Sequence, residues 1–209
     1  MLKISLIIPA WNAELTIEDC LLSAVKAKHS PDEIIVVDDV SSDKTVDIVN
    51  KLAKTNSSIK LLKLDKNGGP AAARDCGAKI ALGEIIFFTD SDTVILENTF
   101  VNCIKTMTEY KADAVSGIYH PEPINKGIVA LYKALFFYYQ FARHKKPFFY
   151  ETFNGQIAAI KKKVYMDTGG YNTNILWGMD NENEEFGRRI IKNNILLLDP
   201  AFQVKHNFP

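Results

Sequence analysis

Residues 33–39 read EIIVVDD and residues 84–93 read EIIFFTDSDT. Each is an unbroken apolar run that ends in carboxylates. A strand with no polar alternation has both faces covered, as in a parallel sheet packed between helices. Such sheets bind ligands at the carboxyl ends of their strands, which is where Asp38, Asp39, Asp90 and Asp92 fall.

The surrounding chain repeats this alternation. Strands are predicted at Lys3–Pro9, Glu33–Asp38, Ile59–Leu64, Glu84–Thr89 and Ala112–Ser116. Helical spacing is predicted at Ala13–Ala27, at Asp43–Lys54 with Ser41 or Ser42 as its cap, at Pro70–Leu82 and at Glu97–Tyr110. The β-α order predicts an α/β fold: a mostly parallel central sheet with helices on both faces. Less regular segments follow. Gly127–Ala142 is an aromatic helix, Asn154–Ile160 a strand, Lys161–Asp167 a short helix and Asp180–Lys192 an acidic helix. Ile195–Leu198 and Phe202–His206 are closing strands.

The 209 residues, 47% apolar and 24% charged, suit one domain over 1–209. Twenty-five basic residues balance 25 acidic ones, which argues against a nucleic-acid binder. Cys20, Cys76 and Cys103 form no CxxC pair and read as buried thiols in a reducing compartment. No apolar run approaches the roughly 18 residues of a spanning helix, and the N-terminus lacks a signal peptide's cleavage region. The expected location is cytoplasmic, or the cytoplasmic face of a membrane. The ending HNFP carries no polar tail, so continuation of the natural chain past Pro209 is expected.

Several segments carry candidate chemistry, each with a plainer alternative. Asp90 and Asp92, two apart at a strand end, point to one side and repel unless a cation joins them; the alternative is a loop with a capping aspartate. Asp38 and Asp39 can accept donors from a nucleobase or ribose, or cap the following helix. Asn67-Gly68-Gly69-Pro70 opens a helix whose first amides can face an anion, and Arg74 lies one turn inside. No GK[ST] or GxGxxG pattern is present there.

In order, SLIIPAWN, EIIVVDDVSSDKT, NGGPAAARDCGAKIALGEIIFFTDSDT, the GGY at Gly169–Tyr171 and ENEEFGRR at Glu182–Arg189 resemble the inverting glycosyltransferases of family 2, of GT-A fold. The resemblance implies a nucleotide-diphosphate sugar donor, Mn²⁺ or Mg²⁺, and transfer with inversion to a saccharide or lipid-linked acceptor. It places the donor in the half spanning 1–118, against Pro9, Ala10, Asn12, Glu14, Asp38, Asp39, Asn67, Gly69, Arg74, Asp90 and Ser91. It places the cation at Asp92 and Asp90, with His206 nearby. The acceptor half, 119–209, contributes Gly169, Gly170, Trp177 and Arg189, and the catalytic candidates are Asp180, Glu182 and Asn183.

One departure matters. The family's catalytic aspartate aligns with Asn183, an amide that is no useful base at neutral pH. Asp180 lies one helical turn earlier on roughly the same face. Either Asp180 serves as the base or the chain is a disabled sugar-nucleotide-binding module. A sugar nucleotidyltransferase would need a Gly-rich, basic loop after the first strand, and PAWNAE has neither feature. The aromatic helix and the following Arg143-His144-Lys145-Lys146 have two readings: a buried helix with a basic loop, or a membrane-surface element.

Overall fold

The computed structural model describes residues 2–174 and 181–208. Its strands are β1 (Ile4–Ala10), β2 (Glu33–Asp38), β3 (Ile59–Lys63), β4 (Ile85–Thr89), β5 (Thr93–Ile95), β6 (Ala114–Tyr119), β7 (Phe148–Phe149), β8 (Ile157–Lys161) and β9 (Leu196–His206). Its helices are α1 (Ile17–Lys26), α2 (Thr45–Thr55), α3 (Gly69–Ile80), α4 (Thr99–Glu109), α5 (Ile128–Ala142), α6 (Lys162–Asp167) and α7 (Asn181–Ile190). They form one mixed sheet in the order β3-β2-β1-β4-β8-β6-β9-β5, with β7 paired to β9.

The apolar runs form the centre. Every residue of β1, β2 and β4 is buried. Alternate side chains face opposite sides, so Leu6 and Ile8 pack with α1, α2 and α4, whereas Ile7 packs with α3, α6 and α7. Phe87 meets Phe100 and Phe202 edge-on on the first side; Phe88 meets Phe153 and Tyr171 edge-on on the second.

Parallel pairing holds from β3 through β2 and β1 to β4. Beyond β4 the sheet is mixed: β8 runs antiparallel to β4 and β6, while β6 and β9 are parallel. Burial explains why direction was illegible, because a covered strand has the same apolar composition either way. The two expected closing strands are one, β9, whose register against β6 shifts between Ser116 and Ile118. Pro200 lies in that irregular stretch, where a missing N–H does no harm. The three-residue β5 and two-residue β7 are too short to give a period.

Neither Ser41 nor Ser42 caps α2. The cap position is Lys44, without a side-chain cap bond; Asp43, one residue earlier, braces the first turn, its Oδ1 accepting from the Thr45 amide and hydroxyl. Among the cysteines, Cys20 and Cys103 are buried, and Cys76 is only half-buried. Burial pushes the Cys20 thiol up to about 12, against a hydrogen bond with Thr93 and with help from Asp92 and Asp90, so it stays unreactive. Among the described residues no helix is long and apolar enough to cross a membrane.

Candidate active site

A cleft of about 530 Å³ opens at the carboxyl ends of β1, β2 and β4. Its lining includes Pro9, Ala10, Asp39, Asn67, Gly69, Arg74, Asp90, Ser91, Asp92 and Glu182 from the predicted set. Trp11, Pro70, Ala73 and Gln156 complete it. Trp11 is 59% exposed although it follows a fully buried strand. That contrast, an aromatic residue in a turn after a core strand, was its only sequence signal.

The Asp39 side is internally complete. Asp39 accepts from the Gly68 and Gly69 amides, at 2.8 Å each, and Asn67 donates its side-chain amide to the Asp39 carbonyl. The carboxylate thus clamps the start of α3. Val40 beside it has φ of 65°, an unusual backbone for a β-branched residue. Asp38 faces the opposite way along the strand, is buried, and accepts from the Ser41 amide. Asn12 and Glu14 also lie outside the cleft lining. Asn12 accepts from the Ser42 amide and Glu14 from the Lys44 amide, so both tie the turn after β1 to the turn after β2.

The Asp92 side is different. Arg74, 2% exposed, donates to Asp90 Oδ1 at 2.6 Å. Burial disfavours its charge, but Asp90, with Tyr171 and Glu182, outweighs that and holds the guanidinium protonated. Burial pushes Asp90 above the ordinary carboxylate range; Arg74 opposes that push and Asp92 adds to it. Asp92 Oδ2 lies 3.3 Å from His206 Nε2, and the His206 ring packs between Tyr119 and Phe208. Asp92 Oδ1, Glu182 Oε2 and His206 Nδ1 are buried with no hydrogen-bond partner among the described residues. Buried acceptors in that state are costly and uncommon.

The unpartnered Asp92 oxygen, beside Asp90, suits a hard cation. Among the described residues no three metal-ligating side chains cluster. A cation at Asp92 would therefore need most of its oxygen ligands from outside the chain, which is usual for Mg²⁺.

Glu182 and Asn183 diverge. Glu182, 4% exposed, lines the cleft. Asn183 Oδ1 accepts from the Gly155 amide and the Tyr171 hydroxyl, at 3.2 Å each, and lines a second cavity of about 300 Å³. Gln156 borders both cavities. A Cβ on Gly155 would stand 2.5 Å from the Tyr171 hydroxyl and 3.0 Å from Arg74 Cζ, so only glycine allows this close approach. Asp180 and Trp177 lie outside the described residues.

Gly169, Gly170 and Arg189 line neither cavity. The glycines turn the chain at φ of 83° and 67°. Arg189 donates to the Thr168 and Gly170 carbonyls and pairs with Glu185. Together they present Tyr171, whose ring lies 5.9 Å from the Arg74 guanidinium carbon. They support the cleft wall from behind.

A family model described as glycosyl transferase family 2 matches residues 5–169. A poly(ribitol-phosphate) beta-glucosyltransferase of Bacillus spizizenii is 37% identical over 119 residues, 56% of this chain and 19% of that protein. Staphylococcus aureus TarS 1-349, solved in complex with UDP-GlcNAc, superimposes with a TM-score of 0.75 at 21% identity, covering 99% of this chain and 59% of that one. The mannosyltransferase PcManGT of Pyrobaculum calidifontis, solved with GDP-Man and Mn²⁺, gives 0.76 at 21%, covering 100% and 57%. The chain thus spans less than two thirds of each of these proteins. With the matched model covering most of its length and the sheet superimposing on these enzymes, the chain belongs to glycosyl transferase family 2 and has the GT-A fold.

Proposed function

We propose that the chain forms the catalytic unit of a metal-assisted, inverting glycosyltransferase using a nucleotide-diphosphate sugar, with 1–118 holding the donor and 119–209 the acceptor. One observation carries this reading: carboxylates from separate segments converge on one cleft, and two of them, Asp92 and Glu182, carry buried oxygens without partners. Stability alone gives no reason for that arrangement.

The roles follow from position. Trp11 offers an exposed ring beside Asp39 for the nucleobase, which Asp39 can meet with its remaining lone pairs. Asp92, with Asp90 beside it, would hold the cation, which supplies Lewis-acid neutralisation of the departing diphosphate. Arg74 fixes Asp90 and places permanent positive charge under the cleft floor. The acceptor reaches the sugar from the second cavity, past Gln156. Its oxygen bonds to the anomeric carbon as the bond to diphosphate breaks, and the hydroxyl proton passes to Glu182. Glu182 is assigned as the base because it faces the cleft, whereas the Asn183 amide is committed to Gly155 and Tyr171.

Asn183, where the family resemblance implies an aspartate, motivates a second reading, a binding module that holds donor without transfer. Thermal shift with UDP and GDP, with Mn²⁺ or with EDTA, tests binding. Incubation with UDP- and GDP-sugars, reading nucleoside diphosphate release, tests chemistry. A metal-dependent shift with release that Glu182→Gln abolishes supports the enzyme. A shift without release from any donor, with or without saccharide acceptors, supports the module. No metal-dependent shift removes both.

A further inference from the structure

The second half of the molecule carries a surface that neither cavity uses. α5 rests on β6 and β9 through Ala130 and Ala134, and Phe137 stacks on Phe208. Its other side faces solvent. Ile128 is 84% exposed, Tyr132 67% and Tyr139 68%; Val129 and Phe136 are also exposed, as is Phe149 in β7. Contiguous exposure on this scale marks an interaction surface.

Charge identifies what covers it. Residues 126–150 contain no Asp or Glu. Lys126, Arg143, Lys145 and Lys146 are exposed, and none has an ion-pair partner among the described residues. In a chain of zero net charge this is a local excess at both ends of an aromatic stripe. A second copy docking here would juxtapose like charges, which disfavours self-association. An acidic partner alone leaves the aromatic stripe uncovered. A surface that is anionic outside and apolar just beneath matches both features. At ~1.5 Å per residue, α5 spans about 22 Å, too short to cross ~30 Å of hydrocarbon, so it lies along the interface.

We infer that α5 and the basic segment after it seat the protein on an anionic lipid bilayer. Tyr132, Phe136 and Tyr139 enter the headgroup boundary, and Arg143, Lys145 and Lys146 meet the headgroups. The inner side of the same helix supplies Phe137, Gln140 and Phe141 to the second cavity, so an acceptor carried in the bilayer meets that cavity at its rim. That last step rests on the proposed transfer reaction; bilayer seating does not.

Flotation with vesicles tests seating directly, using phosphatidylcholine alone and phosphatidylcholine with about one quarter phosphatidylglycerol. The protein is expected to float only with the anionic vesicles, less so in high salt. Arg143→Gln, Lys145→Gln and Lys146→Gln combined should weaken partitioning by about 100-fold, from roughly fivefold per basic residue. Tyr132→Ser, Phe136→Ser and Tyr139→Ser combined should also release it, with a cooperative thermal unfolding transition like that of wild type as proof of folding. Failure to float with anionic vesicles overturns the inference. So does flotation that both variants leave intact, or a concentration-dependent dimer abolished by the serine variant.

Discussion

Two strands end in aspartate pairs at the same rim, and the fold treats them differently. At the end of β2, the Asp39 oxygens are each met by a backbone amide, and Asp38 closes its own turn. At the end of β4, Asp90 is paired with Arg74, but Asp92 keeps a buried oxygen without a partner, and Glu182 contributes another from α7. The first corner is complete before any ligand arrives. The second keeps buried polar atoms for a ligand to meet: carboxylate oxygens of Asp92 and Glu182, and the Arg74 Nε–H. Under the proposed function, the pre-formed corner is the one assigned to the nucleotide, and the corner with unmet groups is the one assigned to bond exchange.

The largest effect that could break this comparison is expected at Asp92. Asp92→Ala should lower donor turnover about 1000-fold, roughly 4 kcal/mol of lost stabilisation, while the melting temperature holds or rises. Glu182→Gln should lower nucleoside diphosphate release about 100-fold or more with donor binding retained, as measured by turnover beside titration. Asp39→Ala should differ from both by losing stability as well as nucleotide binding. Stranding the Gly68 and Gly69 amides should cost about 2–4 kcal/mol in urea unfolding.

Glu33, at the other end of β2, sharpens the contrast because it is satisfied with no ligand in reach. Burial works against its charge, but Lys60, the Ser5 hydroxyl and the Leu82 amide outweigh that and hold it below the ordinary carboxylate range. Its folded value lies below its unfolded value. Its stabilisation is therefore present at neutral pH and fades as pH falls through that depressed value. Glu33→Gln should cost about 1–2 kcal/mol at pH 7, discounted because Lys60 is half exposed, and the gap should narrow on acidification. Asn183→Asp should have the smallest effect on turnover, because position 183 faces Gly155 and Tyr171; a large gain would move the base there.

The parallel core was legible because β1, β2 and β4 are apolar without interruption. The carboxylates at their ends marked the rim. Strand direction beyond β4 left no trace in composition. Adjacent residues on one helix also hid their division of labour. Glu182 and Asn183 lie about 100° apart around α7, and only the packing of Gly155 and Tyr171 shows which one faces the cleft. The resemblance places Asn12 and Glu14 against the donor; in the structure their side chains accept from the Ser42 and Lys44 amides of the neighbouring turn. The GGY glycines set a turn that presents Tyr171, a role that needs three dimensions to see.

Calorimetric titration of UDP and of GDP into the wild-type protein and Asp92→Ala, each with Mn²⁺ and with EDTA, tests the central claim most directly. The account predicts that one nucleotide binds wild type tightly with Mn²⁺, weakly with EDTA, and Asp92→Ala weakly in both. Binding that ignores Mn²⁺, or that survives unchanged in Asp92→Ala, would contradict it.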